Sequence, residues 1–419
     1  MAADIEPTRP RRGLPVVPPG WLVRVSVAVM LATVTGHAVR PMISYRALEN
    51  GASAAQVGLI AAAYGFLGLI SAVPTGRLVD RLGGARFLLL GTTVATAASL
   101  ALAFVQSLLG LALAQAALGL AQVFLAVGAQ TIIAEGGPGS ARDFRYGMFT
   151  SIVALGHIAG PAIAGYAAES SGGITAVFYV GAVIALGAVL IGSTLLVRPP
   201  TYRKPLQMSG RDQPSMRTAA TEILRVPSVA QAILASLAVL ATIDVLIAYF
   251  PAYGELVGIS VGTVGALLAI RAAASVVVRL FMGWLILRVG RKVTLATSLV
   301  VPAVSLALVP LTDGRVPLLV LLMITTGLGL GIGQPMTVSW VAGRVPRRVR
   351  ATALGMRLMG NRLGQLVVPA LAGAVAGAAG VSGIFIALAV LLSGSGAMSF
   401  TATFADLDKD PDPVEETPD

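Results

Sequence analysis

The sequence predicts an all-α membrane protein of twelve transmembrane helices in two pseudo-symmetric six-helix bundles. Three observations carry that prediction. The 419-residue chain is 56% hydrophobic and 12% charged, with a mean hydropathy of +0.85, which leaves too little polar surface to coat a soluble globule. Its apolar residues fall into runs of about 20, the length a helix needs to span ~30 Å of hydrocarbon without leaving backbone groups unpaired. Finally, the chain repeats itself: Gly76, Leu78, Arg81 and Gly83 return 207 positions later as Gly283, Leu285, Arg288 and Gly290.

Taken in order, the apolar runs are 22–43, 54–73, 86–106, 108–134, 146–168 and 174–197, then 227–250, 261–286, 293–312, 316–342, 351–376 and 381–401. The first six make an N-terminal bundle (22–197) and the last six a C-terminal bundle (227–401). Between them, 198–226 is rich in Pro, Arg, Lys, Ser and Gln and reads as a linker. Residues 1–21 form a basic, Pro-rich N-terminal segment without the pattern of a removable signal peptide. The tail 402–419 is acidic and Pro-containing, the composition of a disordered segment. The repeat reaches beyond its first match. Gly51, Ser53 and Gly58 pair with Gly258, Ser260 and Gly265, and at a shift of 208 Gly147, Gly156, Pro161 and Gly165 pair with Gly355, Gly364, Pro369 and Gly373. Duplicated halves suit a transporter, because two bundles can rock about a site held between them.

Lys and Arg set the expected orientation. With the N-terminus inside, the outer loops hold only Arg46 and Arg315, and Arg40, Arg271, Arg279, Arg357 and Arg362 fall within helices. The remaining Lys and Arg lie on the inner side, so both termini are expected in the cytoplasm. The net charge of +11 therefore reads as topology, with no basic face for nucleic acid. The chain has no cysteine, which removes disulfides, thiolate metal sites and a Cys nucleophile. No nucleophile–base set, metal cluster or phosphate loop is found, so neither an enzyme nor a cofactor is expected.

Gly76, Leu78, Asp80, Arg81 and Gly83 match the first cytoplasmic motif, G-x-L-x-D-R-x-G-R, of the major facilitator superfamily, which the chain resembles from about 22 to 401. The final Arg of that pattern is displaced to Arg86, and the second copy keeps Arg291 but has Leu287 for the acid. The resemblance implies a secondary transporter in which Gly76, Asp80, Arg81 and Gly83, with Gly283, Arg288, Gly290 and Arg291, act as gate elements. Gly156, Gly160, Pro161 and Gly165 in the fifth helix are similar to the family's antiporter motif, associated with exporters; close helix packing is the other reading of those glycines. Many proton-coupled exporters of the family carry an Arg where this chain has Gln115.

Burying an Arg at a helix centre costs ~2.5–3.5 kcal/mol on insertion scales, so each such residue needs a cavity, a partner or an escape to the interface. By helical rise, Arg271 and Arg362 lie roughly 15 Å into their helices. Arg40, Arg279 and Arg357 lie nearer an end, where snorkelling can serve them. Arg271 and Arg362, with Asn361, Gln334 and Tyr64, are expected at a substrate cavity; a static ion pair is the alternative for the two arginines, and a helix-to-helix hydrogen bond for Gln334. Asp244 and His37, equivalent at the 207 shift, are the proton-coupling candidates. Alternatively, Asp244 neutralises an arginine and His37 makes one hydrogen bond. The expected partners are the lipid bilayer, a small-molecule solute, and protons or another coupling ion, with the chain acting as a monomer, multi-pass, in a plasma membrane (the bacterial inner membrane). Proton-coupled efflux leads. Proton-coupled uptake of an organic anion follows, on the excess of helix-embedded arginines, and a non-transporting receptor or scaffold is third.

Overall fold

A computed structural model of the chain describes residues 19–136, 142–197, 223, 226, 228–345 and 350–401. The expected linker, apart from Ile223 and Val226, and the tail from 402 lie outside the described residues, as does the N-terminal segment up to 18. Ten helices among the described residues are long and apolar enough to cross a membrane. They begin with α1 (Gly20–Glu49), α2 (Ala54–Leu82), α3 (Gly84–Leu102), α4 (Leu108–Glu135), α5 (Arg142–Ser170), α6 (Thr175–Val197) and α7 (Val229–Leu256). Two of the remaining three are each broken at one glycine. Val261–Leu308 breaks at Gly290 (φ 80°) into α8 (261–289) and α9 (291–308), and Arg350–Thr401 breaks at Gly380 (φ 73°) into α11 (350–379) and α12 (381–401). With α10 (Val316–Arg344) between them, the described residues form twelve helical segments.

The backbone itself carries the repeat. Left-handed φ occurs at Gly51, Gly83 and Gly172, and again at Gly258, Gly290 and Gly380, at shifts of 207, 207 and 208. A Cβ is strained in that region, so glycine is favoured at these six turns between helices. The cap after the first such turn is also duplicated. Ser53 Oγ accepts from Gln56 N at the start of α2, and Ser260 Oγ accepts from Thr263 N at the start of α8.

One expectation is corrected. The charged stretch 76–83, left outside the apolar runs 54–73 and 86–106, is helical through Leu82, and only Gly83 leaves the helix. Hydropathy stops at the first arginine, but backbone hydrogen bonding does not, and α2 continues past the apolar zone. For the same reason α1 runs to Glu49 rather than 43.

Within the first half, α1 packs on α5 and α6, and α4 on α2 and α3; within the second, α10 packs on α8 and α9, and α11 on α7. Small residues let the helices approach. Gly119 of α4 abuts the Tyr64 carbonyl of α2, and Gly327 and Gly331 of α10 lie against Arg271 and Ser275 of α8.

The halves meet through α2 with α11, α5 with α8 and α1 with α7. Much of this contact lies on the side of the Gly51 and Gly258 turns. There a Cβ on Gly65 would come 2.6 Å from Leu366 N, and one on Gly165 would come 2.9 Å from Gly262. Tyr249 Oη donates to the Ala54 carbonyl at 2.8 Å. Glu169, at the end of α5, accepts from Ser260 Oγ at 2.5 Å and from Gly262 N at 3.1 Å, so a carboxylate from one half caps the N-terminus of α8 in the other. On the opposite side, a Cβ on Gly76, Gly147, Gly283 or Gly355 would meet nothing within 4 Å. The close approaches between the halves thus gather on the Gly51 side.

Glu169→Gln keeps the shape of the clasp and removes its charge, at a cost of about 1–2 kcal/mol to the closed arrangement. The expected result is a several-fold faster reaction of an introduced Ile247→Cys with an impermeant maleimide supplied from the Gly51 side. The chain has no cysteine of its own, so the label reports this position alone. An unchanged rate would remove the clasp from the gate.

Candidate functional site

Between the halves lies a cavity of about 260 Å³ lined by residues from both. Drug-sized pockets run to roughly 300–1,000 Å³, so this one suits a small metabolite. A larger apolar groove between α5 and α6, lined by Ala162, Ile163, Tyr166 and Val180, carries no charged group.

The central cavity is strongly biased in charge. Arg40 of α1, Arg271 and Arg279 of α8 and Arg362 of α11 line it, against one carboxylate, Asp244 of α7. That carboxylate is committed. Arg40 Nη2 lies 2.7 Å from Asp244 Oδ1, with both side chains 6% exposed, and the Arg40 guanidinium sits 3.8 Å over the Tyr64 ring. Gln365 Nε2 donates to Asp244 Oδ2 at 2.7 Å, while its Oε1 accepts from Arg362 Nη1 at 2.8 Å. A chain of polar contacts therefore runs from α1 through α7 to α11 and crosses from one half to the other.

The other arginines differ in how they are satisfied. Arg279 donates from Nε to the Gly331 carbonyl at 3.1 Å. Arg357 Nη2 donates to Gln334 Oε1 at 2.6 Å and to Thr337 Oγ1 at 3.2 Å. Arg271 is 4% exposed, its Nε has no partner, and among the described residues it makes no hydrogen bond or ion pair. A buried cation without a partner is expensive unless something enters to meet it.

The expected cavity residues Arg271, Arg362, Asn361, Gln334 and Tyr64 all line this one space, as do Asp244 and His37. Gln334 does two jobs, since its Nε2 also donates to the Ser236 carbonyl at 2.8 Å, tying α10 to α7. Asn361 Oδ1 accepts from Ser236 Oγ at 2.8 Å. His37 and Asp244 are not bonded to each other. The His37 ring meets His157 edge to face at 4.4 Å instead, and Asp244 takes Arg40. Arg40 and Arg357, placed near helix ends by hydropathy, are buried. Because α1 extends to Glu49, Arg40 lies deeper than the apolar run suggests, and it has a counterion there.

Away from the cavity, Asp80 and Arg81 are exposed near the Gly83 turn, with no ion pair among the described residues. Gly83 and Gly290 occupy the two equivalent turns, and Arg288 lies 5.9 Å from the Trp284 ring. Gly156 and Gly160 of α5 abut Met30, Val34 and His37 of α1, and Gly165 abuts α8 together with the Pro161 carbonyl, which meets Gly265. Sequence reasoning missed Arg40 and Gln365 as members of the site. An isolated Arg in an apolar run was a usable signal for the first; an amide has none.

The profile of the Major Facilitator Superfamily matches residues 25–261 and again 233–418. No curated protein matches the chain. Among solved structures, the nucleoside transporter NupG is similar at 17% identity and a TM-score of 0.73, over 92% of this chain and 100% of its own. A bacterial homologue of the human lysosomal transporter Spinster, in an inward-facing and occupied conformation, is similar at 18% identity and a TM-score of 0.70, over 91% of this chain and 95% of its own.

Proposed function

The chain belongs to the major facilitator superfamily, and from that premise we propose that this secondary transporter carries a small organic anion in symport with protons. The observation that supports the cargo is Arg271, a buried cation at the cavity with no counterion in contact, in a lining of four arginines and one carboxylate. An anion that reaches the cavity meets a guanidinium with no hydrogen bond or ion pair of its own, in a low-dielectric space where the attraction is strong.

The coupling follows from the commitment of Asp244 to Arg40. A proton on Asp244 releases Arg40, which then becomes available to the anion. An anion at Arg40 in turn releases Asp244 to take a proton. Each ligand favours the other, which is the linkage of a symporter; an antiporter requires the two to exclude each other. Because Arg40 and Asp244 sit on opposite halves, the exchange also loosens a tie between the bundles as they begin to rock. On this reading the Gly83 side is cytoplasmic and the chain is a multi-pass plasma-membrane protein.

Proteoliposomes with an imposed inward proton gradient test the proposal. Labelled organic anions should accumulate, and the external medium should become more alkaline as they do. Accumulation of neutral or cationic solutes alone would overturn it. Proton-coupled efflux is the second reading, supported by the glycine motif Gly156, Gly160, Pro161 and Gly165 of α5. In that case the same anion would enter inside-out vesicles against an acidified lumen.

A further inference from the structure

The two histidines of the cavity are turned the same way. His37 Nδ1 lies 3.0 Å from the Thr33 carbonyl, and His157 Nδ1 lies 3.2 Å from the Val153 carbonyl, one turn back along α1 and α5. A carbonyl oxygen only accepts, so in each ring Nδ1 carries the proton. The free nitrogen of a neutral ring is then Nε2, a bare acceptor. Neither Nε2 has a hydrogen-bond partner among the described residues, and neither is among the buried unpaired atoms. With the ring centroids 4.4 Å apart and edge to face, both rings belong to the lining that also holds Arg271 and Arg279.

A carboxylate cannot satisfy them, because its oxygens also only accept. What complements this wall is a donor carried by the same solute that brings the negative charge. We infer that His37 and His157 are specificity-determining residues that read hydroxyl or amine donors on the cargo, which makes the preferred cargo a polyhydroxylated or amino-substituted organic anion rather than a plain carboxylate. This inference rests on the anion reading above. The duplication adds support. At shifts of 207 and 208 the counterparts of His37 and His157 are Asp244 and Gln365, which are bonded to each other at 2.7 Å. One half of the repeat thus uses this pair of positions internally, and the other leaves it open to the solute.

Calorimetric binding to the purified full-length protein tests the inference with matched anions, gluconate against hexanoate. Gluconate should bind the native protein at least about tenfold more tightly, the scale of one or two hydrogen bonds. His37→Leu with His157→Leu should bring the ratio close to one. His37→Gln with His157→Gln, which restores acceptors, should recover much of the preference and also guards against a folding defect in the leucine variant. Equal binding of the two anions by the native protein, or a preference that survives the leucine substitutions, would overturn the inference and leave the anion reading standing. Failure of both anions to bind the native protein would overturn both.

Discussion

Arg271→Ala should lower anion transport in proteoliposomes by about 10²–10⁴-fold while leaving the protein as stable as before, or more so. The two effects have one cause. An anion bound at a guanidinium makes charge-assisted hydrogen bonds of about 1.5–3 kcal/mol each, and two of them account for the loss. In the empty protein the same guanidinium is buried with no partner, so removing it relieves a desolvation cost. A residue held for structure behaves in the opposite way. A fall of several degrees in melting temperature, or transport that persists, would show that Arg271 serves the fold and not the cargo. Arg271→Lys keeps the charge but loses the planar fork, and should recover transport only in part.

Asp244→Asn should have the reverse profile for stability. It leaves Arg40 buried at 6% exposure without its counterion, and breaking such a pair costs about 3–5 kcal/mol. Transport should lose its response to the proton gradient, because the side chain that exchanges Arg40 for a proton is gone. Combining Arg40→Leu with Asp244→Leu removes both charges together and should recover most of the stability, as buried pairs replaced by apolar residues often do. The recovered protein should still lack proton-driven accumulation. Denaturation in detergent and flux at two external pH values check these statements, and a double variant that still accumulates anion on a proton gradient would move coupling elsewhere.

Much of the architecture was legible in the residues because lipid imposes it. The helical spans, the two halves and the glycines that turn between them follow from hydropathy and from the repeat at 207. Within the site, Arg271, Arg362 and Asp244 stood out because a lone charge in an apolar run needs a reason. Their partners did not stand out. The shift that equates His37 with Asp244 identifies equivalent positions, and equivalent positions need not touch: Asp244 went to Arg40, and His37 to His157. Arg40 was placed too near the surface because hydropathy ended its helix at 43 whereas the backbone continued to Glu49. Gln365 joins Asp244 to Arg362 through geometry alone, and nothing in the spacing of an amide announces such a role.

The Arg40–Asp244 pair also bears on how long a solute stays. A cation that already has a counterion is a poor trap, because an arriving anion gains only the difference between itself and Asp244. Apparent affinity falls by the fraction of molecules in which the site is free, and among related complexes a lower affinity is expressed chiefly as faster departure. On the proposed symport reading, Asp244, by returning to Arg40, hastens the solute out on the far side. A carrier is judged by turnover and not by grip, and on that reading this internal competitor would set the residence time of its cargo.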